Sequence, residues 1–162
     1  MILLGLGANL PSDLGPPVAT LAAALDALGA EGVRLVRRSA WYRSPPVPPS
    51  AQPWYVNGVV QVQTTLAPGD LLALLHRIEA RFGRVRGEVN AARSLDLDLL
   101  DYEGRVSDAG DTPILPHPRL HERAFVLLPL RDVAPDWGHP RLGRTIADLV
   151  AALGEMPGIE RI

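Results

Sequence analysis

In Leu95-Asp96-Leu97-Asp98-Leu99 two carboxylates alternate with three leucines. The two-residue period of a strand sends both aspartates to one face and the leucines to the other, which leaves the carboxylates roughly 6–7 Å apart. Two acids this close repel each other unless a cation sits between them. Hard oxygen ligands at such spacing suit Mg²⁺ bound jointly with substrate phosphates. Taken alone, the pattern also fits the solvated face of an edge strand. Arg84, Arg86 and Arg93 directly upstream change the balance, because a polyphosphate–metal complex needs cations on its outer oxygens as well as carboxylates on its metal. His117, pinned between Pro116 and Pro118, is either a phosphate donor or an ordinary histidine in a surface turn.

A second group is polar and aromatic. Ser44 and Pro45 open a ten-residue segment with five prolines, and Gln52-Pro-Trp-Tyr-Val-Asn57 leads out of it. Tyr55 and Asn57 share a strand face, and a flat ring beside an amide that both donates and accepts is suited to a planar heterocycle. Phe125 is the candidate for the other side of such a stack. Trp41 and Trp137 read as ordinary core residues.

These side chains need a frame. Ile2 to Gly7 reads as a buried strand that ends in a turn at Asn9-Leu10-Pro11. A helix follows from Val18 to Leu28, stopped by Gly29. Gly32 to Arg43 alternates as a second strand, and the prolines of 44–53 make a stiff loop. Trp54 to Leu66 resumes a β pattern, with Tyr55, Asn57 and Val59 on one face and Val56, Val60 and Val62 on the other. Pro68 and Asp70 open the most regular helix, whose apolar stripe is Leu71, Leu74, Leu75, Ile78 and Phe82, with His76, Glu79 and Arg81 off its centre. Gly83 ends it, Arg84 to Arg93 reads as a basic loop, and Ser94 to Tyr102 alternates as a strand. A polar turn from Glu103 to Thr112 precedes helices near Arg119–Asp132 and Thr145–Leu153. The order β-α-β-β-α-β over residues 1–102 predicts an α+β, ferredoxin-like antiparallel sheet with helices on one face and extra C-terminal helices.

Composition narrows the function classes. The chain has 162 residues, 47% of them hydrophobic, and is expected to form one domain over 1–162. Its net charge of −2 argues against a nucleic-acid or membrane-surface role. Cysteine is absent, which excludes disulfides and thiolate chemistry. All 16 basic residues are arginine, so a Schiff base or a phosphate-loop lysine is excluded as well. No basic leader and no apolar run of membrane-spanning length is evident, and a cytoplasmic location is the expectation.

The ordered segments Gly5-Leu-Gly-Ala-Asn-Leu10, Tyr42-Arg-Ser-Pro-Pro46, Gln52-Pro-Trp-Tyr-Val-Asn57, Ile78-Glu79…Gly83-Arg84, Arg93-Ser-Leu-Asp-Leu-Asp98 and Pro116-His-Pro-Arg119…Arg123-Ala-Phe125 together resemble the 6-hydroxymethyl-7,8-dihydropterin pyrophosphokinase family. The resemblance runs from Met1 to about Asp132. It implies transfer of pyrophosphate from ATP to the hydroxymethyl oxygen of a dihydropterin, releasing AMP, in folate biosynthesis. It further implies two Mg²⁺ ions on Asp96 and Asp98, with Arg84 and Arg93 on the phosphates during transfer. Nucleotide contacts would fall on His76, Glu79, Arg86, Leu99, His117 and Arg123. The pterin would stack between Tyr55 and Phe125, with Asn57 on its edge and Ser44, Pro45 and Val47 lining the pocket. A monomer is the family expectation. The chain departs from the family in Asn90-Ala91-Ala92-Arg93, where a tryptophan often stands and the loop is one residue longer. A nucleotide- or pterin-binding module without turnover, or a phosphoryl-transfer enzyme that makes ADP, are the competing readings.

Overall fold

The computed structural model describes residues 1–46, 48–83, 94–156 and 158–162. Its elements in chain order are β1 (Ile2–Ala8), α1 (Pro17–Ala30), β2 (Arg34–Arg38), β3 (Tyr42–Ser44), β4 (Tyr55–Gln63), α2 (Pro68–Arg81), β5 (Asp96–Tyr102), a short 3-10 turn (Leu120–Glu122), α3 (Ala124–Val133), α4 (Ile146–Ala152) and β6 (Glu160–Arg161). The strands form one six-stranded sheet in the order β5-β1-β4-β3-β6, with β2 also paired to β4. All its ladders are antiparallel. The α+β, ferredoxin-like plan expected from the element order is the plan found.

β1 is buried along its whole length, as a continuous apolar run between two paired strands requires. Proline opens both α1 and α2 at the first turn, where its missing N–H leaves no intrahelical bond unmade. The faces of α1 and α2 that carry Leu21, Ala24, Leu28, Leu71, Leu74, Leu75 and Ile78 pack with Leu4, Leu6, Val56, Val60, Leu97 and Leu99 into one core.

Helices cover both faces of the sheet: α1 and α2 share one, as the sequence pattern predicts, and the C-terminal helices, which the pattern assigns to neither face, take the other. α3 and α4 pack Val126, Leu127, Leu130, Val133, Ile146 and Leu149 against Leu3, Val59 and Leu100 on the opposite side. Val59 pointing away from Val56 and Val60 is the sequence trace of this second core.

Three local differences have physical reasons. The stretch predicted as one strand from Gly32 to Arg43 is two, because Ser39 interrupts it: its Oγ accepts the Val59 N–H and donates to the Ala40 carbonyl. β2 is exposed at all five residues, so its alternation marks no buried face. In β5 the register shifts opposite Leu3 and Leu4, and Leu100 and Asp101 both reach the second core. Asp101, 3% exposed, accepts Trp137 Nε1–H at 2.8 Å and the Gly104 N–H at 3.0 Å. The helix predicted from Arg119 begins as α3 only at Ala124, after the 3-10 turn.

Candidate active site

Two glycines decide what the α3-side face of the sheet can hold. In β1, Gly5 pairs with Asp98 and Val59, and Gly7 pairs with Asp96 and Asn57. A Cβ at Gly5 would meet Leu100, and one at Gly7 would fall within 3.0 Å of Asn57 Oδ1. Both positions therefore face the same side as Asn57. β1 thus contributes bare backbone between the acids of β5 and the polar side chains of β4. Asp96 and Asp98 are half-buried at the edge of this floor, while Leu97 and Leu99 turn into the first core.

A cleft of about 340 Å³ opens over β5. It is lined by Leu72, His76 and Glu79 of α2, Asp96, Leu97, Asp98 and Leu99 of β5, and 111–114, His117 and Pro118 of the following loop. It therefore gathers six of the sequence-selected residues: His76, Glu79, Asp96, Asp98, Leu99 and His117. Leu72, Asp111, Thr112 and Ile114 were not among those expected. They come from a loop with no periodicity and from the flank of the α2 stripe, so nothing local distinguishes them.

Glu79 is 2% exposed, not at the margin of the helix as its polarity suggests. Its Oε2 accepts the Leu97 N–H at 2.9 Å, which ties α2 to β5 between the two aspartates. Position 79 lies four residues after Leu75 and eight after Leu71, so helical spacing already aligned it with the buried stripe. Glu79 is a carboxylate placed by apolar geometry.

His117 is fixed from its backbone and from its ring. Its N–H donates to the Leu100 carbonyl at 2.9 Å, and its Nδ1 accepts the Arg119 N–H at 3.2 Å. The ring proton of the neutral tautomer is therefore on Nε2, which lies 4.0 Å from Asp98 Oδ1. Burial, then the Arg123 guanidinium, pushes the ring down to about 4, with Arg119 adding to the effect and Asp96 opposing it. At neutral pH His117 is an uncharged donor facing the acids. Arg123 also lies with its guanidinium carbon 5.5 Å from the centre of the Phe125 ring at the start of α3.

The heterocycle candidates occupy the neighbouring strands. Asp96, Gly7, Asn57 and Tyr42 form one cross-strand row, and Ser44 pairs with Tyr55. Asn9, buried at 1%, donates from Nδ2 to Gln52 Oε1 at 3.1 Å and to the Pro53 carbonyl at 3.2 Å. Asn9 thereby holds the far end of the proline loop, and Gln52 Oε1 also accepts from the Tyr55 hydroxyl at 3.4 Å. Arg84, Arg86, Arg93, Val47 and the altered 90–93 stretch lie outside the described residues.

The donor chemistry fits Mg²⁺. Two half-buried carboxylates on one face of β5, beside the glycines of β1, offer hard oxygens that suit a cation shared with phosphate and water. Among the described residues no cluster of three or more His, Asp or Glu forms a closed metal cage.

Comparison with known proteins points the same way. A protein of Methylorubrum extorquens named 2-amino-4-hydroxy-6-hydroxymethyldihydropteridine pyrophosphokinase is 44% identical over 161 residues, covering 98% of this chain and 96% of its own. A protein of the same name from Synechocystis sp. is 43% identical over 148 residues, 91% of this chain and 73% of its own. Among solved structures, the Plasmodium falciparum HPPK-DHPS triple mutant superposes with a TM-score of 0.71 at 15% identity, over 93% of this chain. The chain spans 44% of the length of that structure, which supports the fold alone. Residues 3–135 match the family described as 7,8-dihydro-6-hydroxymethylpterin-pyrophosphokinase, and the chain belongs to that family.

Proposed function

We infer that the cleft over β5 and the polar row beside it are where this chain transfers pyrophosphate from ATP to 6-hydroxymethyl-7,8-dihydropterin. The activity follows from the family: the chain is an ATP-dependent diphosphotransferase acting on a dihydropterin in folate synthesis. In the reaction the hydroxymethyl oxygen forms a bond to the β-phosphorus and loses its proton. The bond from that phosphorus to the α,β-bridging oxygen breaks, and AMP leaves with that oxygen. Such a transfer needs two substrates held in line and negative charge neutralised where it develops.

The observation that carries the assignment is the row Asp96–Gly7–Asn57, in which bare glycine separates a metal-type acid from a heterocycle-type amide. Asp96 and Asp98 would hold Mg²⁺, two ions by analogy with the family, which would supply charge neutralisation for the phosphate oxygens beside β5. His117 supplies an uncharged Nε2–H donor beside Asp98, and Arg123 a fixed cation. Glu79 keeps the β5 backbone in place between the two acids. His76 and Leu99 border the nucleotide, and Arg84, Arg86 and Arg93 would neutralise its phosphates, with Arg84 and Arg93 acting during transfer. The pterin stacks between Tyr55 and Phe125, with Asn57 on its edge and Ser44, Pro45 and Val47 around it.

A single-domain monomer working in the cytoplasm, without nucleic acid, completes the reading. Among the described residues no helix is long and apolar enough to cross a membrane. The roles separate by substitution. Asp98→Ala abolishes Mg²⁺-dependent turnover with pterin binding retained, and Tyr55→Ala raises the pterin Kd with ATP binding retained. Near-normal turnover of Asp98→Ala, or an unchanged pterin titration for Tyr55→Ala, contradicts the assignment.

A further inference from the structure

β6 lies beyond the residues matched by the family, yet it packs against the segment proposed to bind the pterin. It pairs Arg161 with Tyr42 and Glu160 with Arg43, and the Ile162 N–H donates to the Trp41 carbonyl at 2.9 Å. It therefore covers the outer edge of β3, a three-residue strand whose last member is Ser44. Just before it, Gly158 has φ +82°, and a Cβ there would stand 3.1 Å from Pro45 Cδ and 3.7 Å from Trp54 Cη2. Backbone without a side chain thus lies against both ends of the proline loop. Arg43 completes the contact: its Nη2 meets Glu160 Oε2 at 2.6 Å, and its guanidinium carbon lies 5.0 Å from the centre of the Trp54 ring.

A three-residue strand carries few ladder bonds of its own, and a loop free to move must be ordered when its ligand binds, which weakens affinity. We propose that β6 and Gly158 are a brace that sets the two ends of the proline loop, at Ser44–Pro45 and at Trp54–Tyr55, before the pterin arrives, with Gly158, Glu160 and Arg43 as positioning residues. The proposal rests on the assignment of Ser44, Pro45 and Tyr55 to the pterin. None of the three braces reaches the β5 cleft, so the nucleotide side is unaffected.

The test compares Gly158→Val, Glu160→Arg and Tyr55→Ala in the full chain, titrating 6-hydroxymethyl-7,8-dihydropterin and Mg·ATP separately and measuring kcat at saturation. Gly158→Val drives a side chain into Pro45 and is expected to raise the pterin Kd roughly tenfold, which is about 1.4 kcal/mol. Its ATP Kd and kcat should stay within about twofold of the parent. Glu160→Arg sets like charges together at an exposed pair and is expected to raise the pterin Kd about two- to threefold, a value that holds even if Gly158→Val fails to fold. Unchanged pterin binding in Glu160→Arg and Gly158→Val, or equal losses for both ligands, overturns the brace. In that case Tyr55→Ala decides the pocket: a raised pterin Kd leaves it standing, and an unchanged one removes it too.

Discussion

Gly7→Ala separates stability from pterin recognition. Gly7 is absent from the glycines with positive φ, so alanine can adopt its backbone conformation, and the less flexible unfolded chain stabilises the variant by about 0.4–1 kcal/mol. Against this, the new Cβ falls within 3.0 Å of Asn57 Oδ1. The colliding atom is the far end of a half-buried side chain, which can swing aside at about 0.5–1.5 kcal/mol. The two terms nearly cancel, and the melting temperature should move by only a few degrees. Asn57, however, is turned away from the ring edge it is proposed to read. Two hydrogen bonds at about 1 kcal/mol each correspond to roughly a thirtyfold rise in pterin Kd. Gly5→Ala is the control, because its Cβ meets Leu100 at 3.5 Å, an ordinary contact. Pterin fluorescence titration and thermal melts on the three proteins suffice. Pterin affinity unchanged in Gly7→Ala, or lost equally in Gly5→Ala, would refute the reasoning.

Glu79→Ala leaves the Leu97 N–H buried without its acceptor and should cost about 1–3 kcal/mol in chemical denaturation, whereas Glu79→Gln keeps an acceptor oxygen and should lose less than half of that. Trp137→Phe removes the indole N–H from the buried Asp101 carboxylate, and a loss of about 1–3 kcal/mol with turnover at 25 °C unchanged is expected. His117 and His139 are both held below the ordinary histidine value, chiefly by burial. The unfolded chain therefore binds protons that the folded one does not as pH falls below 6.5. Stability of the metal-free protein should be intact above that pH and decline from there toward about 4, by up to about 1.4 kcal/mol per pH unit for each such proton. His139 Nδ1 accepts the N–H groups of Arg141 and Leu142, and His139→Asn, which keeps an acceptor but not the titration, should flatten this acid limb in pH-dependent melts.

What could be read in advance depended on whether the cause was local. β1 carries its burial in an unbroken apolar run and α2 in its helical periodicity, and Asp96 and Asp98 share a face because any strand at that spacing puts them there. The burial of Glu79 was equally local in spacing, but its polarity pointed the other way. Other features are tertiary. Ser39 splits a strand only because Val59 offers it a donor, and the β5 bulge exists beside Asp101, which finds Trp137 from 36 residues away. The second helical layer depends on where the chain returns after residue 120, which no pattern in residues 1–102 encodes. Within the site, the acids, His117 and the aromatic–amide pair were legible as residue types. The glycine floor that joins them into one surface emerges only from strand register, which pairs Gly7 with Asp96 on one side and Asn57 on the other.

The central claim is pyrophosphoryl transfer, and the nucleotide product tests it most directly. Purified protein with Mg²⁺, ATP and 6-hydroxymethyl-7,8-dihydropterin should form AMP and the pterin pyrophosphate in equal amounts, with none formed when pterin or Mg²⁺ is omitted. ADP as the product, or no product from a sample that binds both substrates, would contradict it.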